Sequence, residues 1–159
     1  MICKILLADD HLMFREGLKA LLKSDTDFQV TGEAENGVEA VKLCRELAPD
    51  VIIMDISMPE MSGIEASRKI HEESPGIKLI ILSMHTEKRF ILGALQAGVT
   101  GIVAKNSASA ELVTAIETVI SGKTYLSPPS ATSWSRIFSI RVLKREKKPC
   151  HHGRSRFCS

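Results

Sequence analysis

No stretch of this chain approaches the roughly 20 consecutive apolar residues that a membrane-spanning helix needs. The opening run Met1-Ile2-Cys3-Lys4-Ile5-Leu6-Leu7 meets an Asp pair too soon to serve as a signal peptide. Together these absences remove a membrane reading and make the cytoplasm the expected compartment. Cysteine is sparse, with four in 159 residues and no C-x-x-C pair among them. Cys3 falls in a predicted strand and Cys44 on a predicted helix, where each reads as a reduced, small hydrophobe. Without a secretory signal no disulfide framework is expected. Cys150, His151, His152 and Cys158 lie near the end of the chain without the paired spacing of a zinc knuckle. Neither sign of charge dominates: the net charge is +2, with 25% charged and 44% hydrophobic residues, ordinary values for a globular protein.

That small net charge hides an asymmetry. Residues 1–126 carry 13 Lys and Arg against 18 Asp and Glu, whereas residues 127–159 carry 8 against 1. The shift marks a boundary near Ser127-Pro128-Pro129, and the length suits one domain with a short appendage.

Within the acidic part, short apolar runs alternate with segments of helical period. Val51-Ile52-Ile53-Met54 is uninterrupted and ends in Asp55, the pattern of a strand buried on both faces of a parallel sheet. Lys4-Ile5-Leu6-Leu7-Ala8 is a second such run, closed by Asp9-Asp10. Phe28 to Ala34 alternates as a half-buried strand, Lys78 to Ser83 is a fourth strand, and Gly101 to Lys105 a fifth. Between them, apolar residues recur at three- and four-residue intervals over His11–Ser24, Val38–Ala48, Gly63–Glu73, a segment through Phe90–Leu95, and Ala110–Ile120. Asp10 is placed as the cap of the first helix, Ser109 or Ser107 as the cap of the last, and Gly98 and Gly122 as left-handed stops. Five β-α repeats predict an α/β fold, a doubly wound five-stranded parallel sheet with helices on both faces.

In such a sheet all carboxyl ends lie along one edge, so Asp9-Asp10, Asp55, Ser83 and Lys105 converge although they are distant in sequence. Clustered carboxylates repel one another, and no packing argument rewards them. An oxygen-lined cluster suits Mg²⁺, a hard cation, which leaves Asp55 ionised. Lys105 adds one positive charge and Ser83 a hydroxyl. Metal, ammonium and hydroxyl around one carboxylate are what an incoming phosphoryl group needs, which makes Asp55 the candidate nucleophile of an acyl phosphate. His11 and His85 flank this edge, and solvated positions at helix entries are the simpler reading for both.

From about Lys4 to Ser121 the chain resembles the response-regulator receiver domain of two-component signalling, the CheY-like, flavodoxin-like fold. The resemblance is carried by Asp9-Asp10, Asp55 with Met58-Pro59 and Gly63 downstream, Ser83 and Lys105, all in register. Asp9-Asp10-His11 with Arg15-Glu16-Gly17-Leu18, Ala97-Gly98-Val99-Thr100-Gly101, and Ser121 to Pro128 look like the NarL/FixJ branch, whose members usually carry a LuxR-type DNA-binding domain. The resemblance implies that Asp55 accepts phosphate from a sensor histidine kinase. It implies that Asp9, Asp10 and Asp55 hold Mg²⁺ with a backbone carbonyl near Ser57, and that Lys105 and Ser83 respond to the phosphoryl group. It also implies a homodimer on phosphorylation. Position 102, often aromatic in the family, is Ile102 here, which implies a switch working through backbone shifts of the fourth-helix face.

The expected organisation is a receiver over residues 1–122, followed by a linker and basic tail over 123–159. A LuxR-type output of roughly 60 residues does not fit the 33 residues from Ser127 to Ser159, and a truncated or frame-shifted end is expected. DNA contact would then need an output domain not recognisable in this chain. Two alternatives stand beside this reading. One is a stand-alone receiver that carries phosphate or docks on a protein. The other is a Mg²⁺-dependent aspartyl phosphatase, whose Asp-x-Asp on one strand is not matched by adjacent acids on the first strand and a nucleophile on the third.

Overall fold

The computed structural model describes residues 2–84 and 88–127, with the side chains of all of these except Lys88 and Arg89. His85, the Cys and His residues of the tail and the segment expected to be a truncated or frame-shifted output region lie outside the described residues.

The elements follow the expected alternation: β1 (Cys3–Ala8), α1 (Leu12–Lys23), β2 (Phe28–Ala34), α2 (Gly37–Leu47), β3 (Val51–Asp55), α3 (Gly63–Glu73), β4 (Lys78–Ser83), α4 (Lys88–Gln96), β5 (Gly101–Ala104) and α5 (Ala108–Ile120). A 3₁₀ turn over Lys105–Ser107 joins β5 to α5, and a two-residue β6 (Tyr125–Leu126) follows. The strands are all parallel, in the order β2-β1-β3-β4-β5-β6. The fold is the expected flavodoxin-like α/β architecture with a short strand added at one edge.

Because successive strand residues point to opposite faces, each central strand feeds two cores. Ile5, Leu7, Val51, Ile53, Ile80, Leu82 and Val103 meet Leu18 and Leu22 of α1 and Leu112, Ile116 and Val119 of α5. Leu6, Ile52, Met54, Leu79, Ile81 and Ile102 meet α2, α3 and α4 through residues such as Val41, Ile70 and Ile91. All five residues of β3 are buried, as its unbroken apolar run requires. Each such aliphatic side chain contributes about 1.5–3 kcal/mol by leaving water. Cys44 is buried and free, and burial, then the charge of Glu73, pushes its thiol up to about 12.

The structure differs from the sequence reading at three points that bear on the site. First, α1 is capped by His11 rather than Asp10, and the His11 side chain makes no cap hydrogen bond to the helix. The Asp9 carboxylate reaches forward instead and accepts from the His11 N–H at 2.7 Å, and the helix begins at Leu12. Second, β5 stops at Ala104, so Lys105 begins the 3₁₀ turn and its side chain leaves from a bend rather than from a strand. Third, packing onto the sheet continues past residue 122. Tyr125 N donates to Thr100 O at 2.9 Å and Ser127 N to Ile102 O at 2.9 Å, and Ser127 is fully buried. Glu111 of α5 holds this strand by accepting from Tyr125 Oη at 2.9 Å and from Ser127 Oγ at 2.6 Å. The burial of Ser127 coincides with the composition shift at Ser127-Pro128.

Gly98 has φ +98°, the left-handed backbone expected of a helix stop.

Candidate acidic site at the strand ends

The strand order reverses between β1 and β3: β2 lies outside β1 on one side, while β4 and β5 extend beyond β3 on the other. At such a switch point the connections leave in opposite directions and open a crevice beyond the carboxyl ends. Ala8 pairs with Met54 across this junction, so Asp9 and Asp55 follow side by side. Each is almost wholly buried, 1% and 4% exposed, while Asp10 faces solvent.

The loop after β3 is held down by backbone bonds. Ile56 N donates to Leu82 O at 3.1 Å, and Gly63 N donates to Ile56 O at 3.0 Å. A Cβ on Gly63 would sit 2.4 Å from the Asp55 carbonyl oxygen, so only glycine lets α3 begin against the end of β3. The carboxylate is steadied from within the loop, where Ser57 N–H donates to Asp55 Oδ1 at 3.3 Å.

Lys105 reaches in from the far side of the crevice. Its Nζ donates to Asp55 Oδ2 at 2.9 Å and stands 3.2 Å from Asp9 Oδ2. The second approach lacks the alignment of a hydrogen bond. Asp9 Oδ2 is thus a buried oxygen with a charge beside it and, among the described residues, no hydrogen-bond donor aimed at it. Phe14 lies under the ammonium with its ring centroid 4.7 Å from Nζ. Burial is the largest single influence on the Lys105 pKa and lowers it, but the hydrogen bond and charge of Asp55, with Asp9, together outweigh it. The ammonium is therefore held above its ordinary pKa and is charged at neutral pH.

His11 completes the group. Its Nδ1 is 3.0 Å from Asp9 Oδ1, 3.1 Å from Asp10 Oδ1, 3.9 Å from Asp55 Oδ2 and 3.4 Å from Lys105 Nζ. One donor atom from each of Asp9, Asp10, His11 and Asp55 lies within 4.8 Å of the others. Three carboxylates facing one lysine leave the cluster negative, and the buried Asp9 oxygen lacks a donor. That donor set could hold a metal ion: hard oxygens, an excess of negative charge and a buried Asp9 oxygen met only by the off-axis Lys105 ammonium at 3.2 Å.

Of the residues singled out in the sequence, Asp9, Asp10, Asp55 and Lys105 come together directly. Ser57 meets Asp55 through its backbone N–H, and its side chain is exposed. Ser83, 4% exposed, ends β4 opposite Ala104 and lines a small cavity with Ile56, Ile81, Phe90, Ile91 and Ile102. Ile102 is 2% exposed, inside the sheet.

Two contributors were not anticipated. The sequence places His11 beside this edge as a solvated helix entry, although a histidine directly after two strand-end acids is a usable signal. Arg15 is buried, donating from Nη1 to the Asp9 carbonyl oxygen and from Nε to Glu33 Oε1 at 2.8 Å. It ties the end of β1 to β2, and only a cation on the inner side of α1 hinted at it.

A family model described as the response regulator receiver domain matches residues 5–117. The chain is 42% identical over 143 residues to Response regulator UvrY of Escherichia coli strain K12, covering 90% of this chain and 64% of that protein. It is 41% identical over 128 residues to Response regulator GacA of Pseudomonas syringae pv. syringae, covering 80% of this chain and 60% of that protein. The chain thus spans a little under two thirds of the length of these relatives. Among solved structures it is similar to a two-component response regulator of the LuxR family from Aurantimonas sp. SI85-9A1. That likeness has 37% identity and a TM-score of 0.80 over 86% of this chain and 99% of that one. No helix among the described residues is long and apolar enough to cross a membrane. A parallel sheet with acids at its switch point, a family model over most of its length and LuxR-family likenesses make this chain a member of the response regulator receiver family of two-component systems.

Proposed function

We propose that Asp55 accepts a phosphoryl group from a phosphohistidine of a sensor kinase, with Asp9, Asp10 and Asp55, and the backbone near Ser57, holding Mg²⁺. The observation that carries this reading is the surroundings of Asp55: a buried strand-end carboxylate with Lys105 Nζ at 2.9 Å and two further acids within reach.

An Asp55 carboxylate oxygen attacks phosphorus. The P–O bond forms as the P–N bond to the donor imidazole breaks, and that bond's electron pair returns to the imidazole. Asp9, Asp10 and Asp55 would hold Mg²⁺ there, and the ion would supply positive charge to offset that building on the phosphoryl oxygens. Lys105, now bridging Asp55 and Asp9, turns its ammonium to a phosphoryl oxygen, and the Ser83 hydroxyl donates to another. The acyl phosphate adds up to about −2 of charge beside residues that can move to meet it. Ile102, packed against the cavity that Ser83 lines, then sets how far β5 and α4 shift in response. The shift promotes a homodimer, and the receiver thereby switches a transcriptional regulator of the LuxR type.

Incubation with acetyl phosphate and Mg²⁺ tests the chemistry. Intact mass should show one added, hydroxylamine-labile phosphoryl group in wild type and none in Asp55→Asn. Equal labelling of the two refutes the assignment.

A further inference from the structure

We propose that the cationic, apolar segment 134–145 of this chain seats in a groove at the amino ends of the strands, at the opposite end of the sheet from Asp55. The groove is open and has a volume of about 530 Å³, within the roughly 300–1,000 Å³ of ligand sites. Ile2 before β1, Phe28 at the start of β2 and Ile120 at the end of α5 give it an apolar lining. Ile2 and Ile120 are 55% and 46% exposed, so the groove presents apolar surface that the described residues leave in water.

Asp27, Asp50, Glu117 and Lys78 are set among these side chains. Three carboxylates and one ammonium give the lining a net charge of −2. Among the described residues, the carboxylates of Asp27 and Glu117 have no hydrogen bond or ion pair, and that of Asp50 accepts only the Lys4 N–H at 2.9 Å. Burial, and then the charge of Asp50, pushes the thiol of Cys3, which also lines the groove, up to about 11. A further anion is disfavoured there for the same reason, and a cation is welcome.

The occupant must bring apolar side chains and positive charge together. Residues 134–145 carry Arg136, Arg141, Lys144 and Arg145 among six apolar side chains, with no acid. The chain also leaves the sheet close enough to deliver them. Leu126 pairs with Ile102 and Ile102 with Ile81, so the end of β6 is level with Ile81 and two strands from β4. Lys78, on the near rim, is three residues earlier on β4. That places it about 10 Å across and about 10 Å down, or about 14 Å away in all. The chain from Leu126 to Trp134 spans up to about 26 Å when extended. Tethering holds the segment at an effective concentration on the order of millimolar, which favours it over the same segment of a second copy.

The test uses the full chain and its single tryptophan, Trp134, as the probe. Its fluorescence should be blue-shifted and shielded from acrylamide, and the shielding should persist through a hundredfold dilution. Asp27→Asn with Glu117→Gln, two exposed positions, should leave the far-UV circular dichroism unchanged while quenching rises at least twofold. Arg136→Gln with Arg141→Gln should release Trp134 equally and shift the backbone amide resonances of Phe28 and Ile120. Trp134 as open to acrylamide in wild type as in a free indole overturns the proposal. Shielding lost with the arginines but indifferent to the groove acids seats the segment elsewhere and overturns it too. Shielding that fades on dilution assigns the groove to the segment of a second copy and refutes the contact within one chain.

Discussion

Asp10→Asn should make the protein more stable without metal and less stable with it. The Asp10 carboxylate is about one third exposed and lies within 4.8 Å of donor atoms of both Asp9 and Asp55. At that separation a like-charge pair costs about 3.5 kcal/mol at an effective dielectric of about 20 and about 0.9 kcal/mol in water. Lys105 offsets one of the two repulsions, leaving the equivalent of one uncompensated pair. The exposure of Asp10 discounts it toward the lower bound, to about 1–2 kcal/mol. Asparagine keeps the shape and removes the charge. In EDTA the variant should therefore unfold at higher urea, with an unchanged m-value and a melting point higher by about 5 °C. Excess Mg²⁺ reverses the order. Wild type gains about 2.7 kcal/mol at a hundred times its dissociation constant, and the variant, one acid poorer, binds more weakly and gains less. Urea unfolding followed by far-UV circular dichroism, with and without MgCl₂, reads both halves. A variant less stable than wild type in EDTA would show that Asp10 does not strain the metal-free site, and two curves raised equally by Mg²⁺ would show that it does not hold the ion.

Three further perturbations probe the frame around the site. The Glu33 carboxyl is held below its usual range, first by the hydrogen bond from Lys19 and then by that from Arg15. Its contribution is present above the ordinary glutamate pKa and is lost as pH falls through the depressed value, so Glu33→Gln should flatten the acid limb of melting temperature against pH; an unchanged limb excludes this group. Tyr125, the single tyrosine of the chain, has its phenol pushed up to about 12 by burial and then by Glu111. Ultraviolet titration should show that late ionisation, and Glu111→Gln should bring it toward 10. The strand Tyr125–Leu126 should loosen as pH rises from about 10, where the unfolded phenol ionises, toward 12; an ordinary tyrosine titration in wild type contradicts the packing of β6. Gly63→Ala drives a methyl to 2.4 Å from the Asp55 carbonyl oxygen, and relief by backbone movement should cost about 3 kcal/mol and slow acetyl phosphate labelling. A variant with normal stability and labelling shows that the start of α3 has slack that the structure does not suggest.

How much of this was legible in sequence depended on whether a feature is local. The β-α alternation was legible because each strand and helix carries its own hydrophobic period. The convergence of Asp9, Asp10, Asp55 and Lys105 then followed from topology alone, because parallel strands end along one edge. The misplaced cap of α1 shows where local rules fail. Aspartate before a helix is a good cap only if its carboxylate turns toward the helix N–H groups, and the Asp10 carboxylate stands instead 3.1 Å from His11 Nδ1. β6 was missed for a related reason: two residues carry no periodicity, and Tyr125 and Ser127 are held through Glu111, which lies 14 and 16 positions away. His11 and Arg15 are the instructive pair. Both sit at the start of α1, and propensity treats both as solvent-facing. Yet Arg15 is turned inward to the Asp9 carbonyl, and His11 is drawn over the crevice by three carboxylates. A site with excess negative charge recruits the nearest cationic or proton-donating side chains whatever their local preference. The residues flanking a predicted acidic cluster therefore belong to the site until packing shows otherwise.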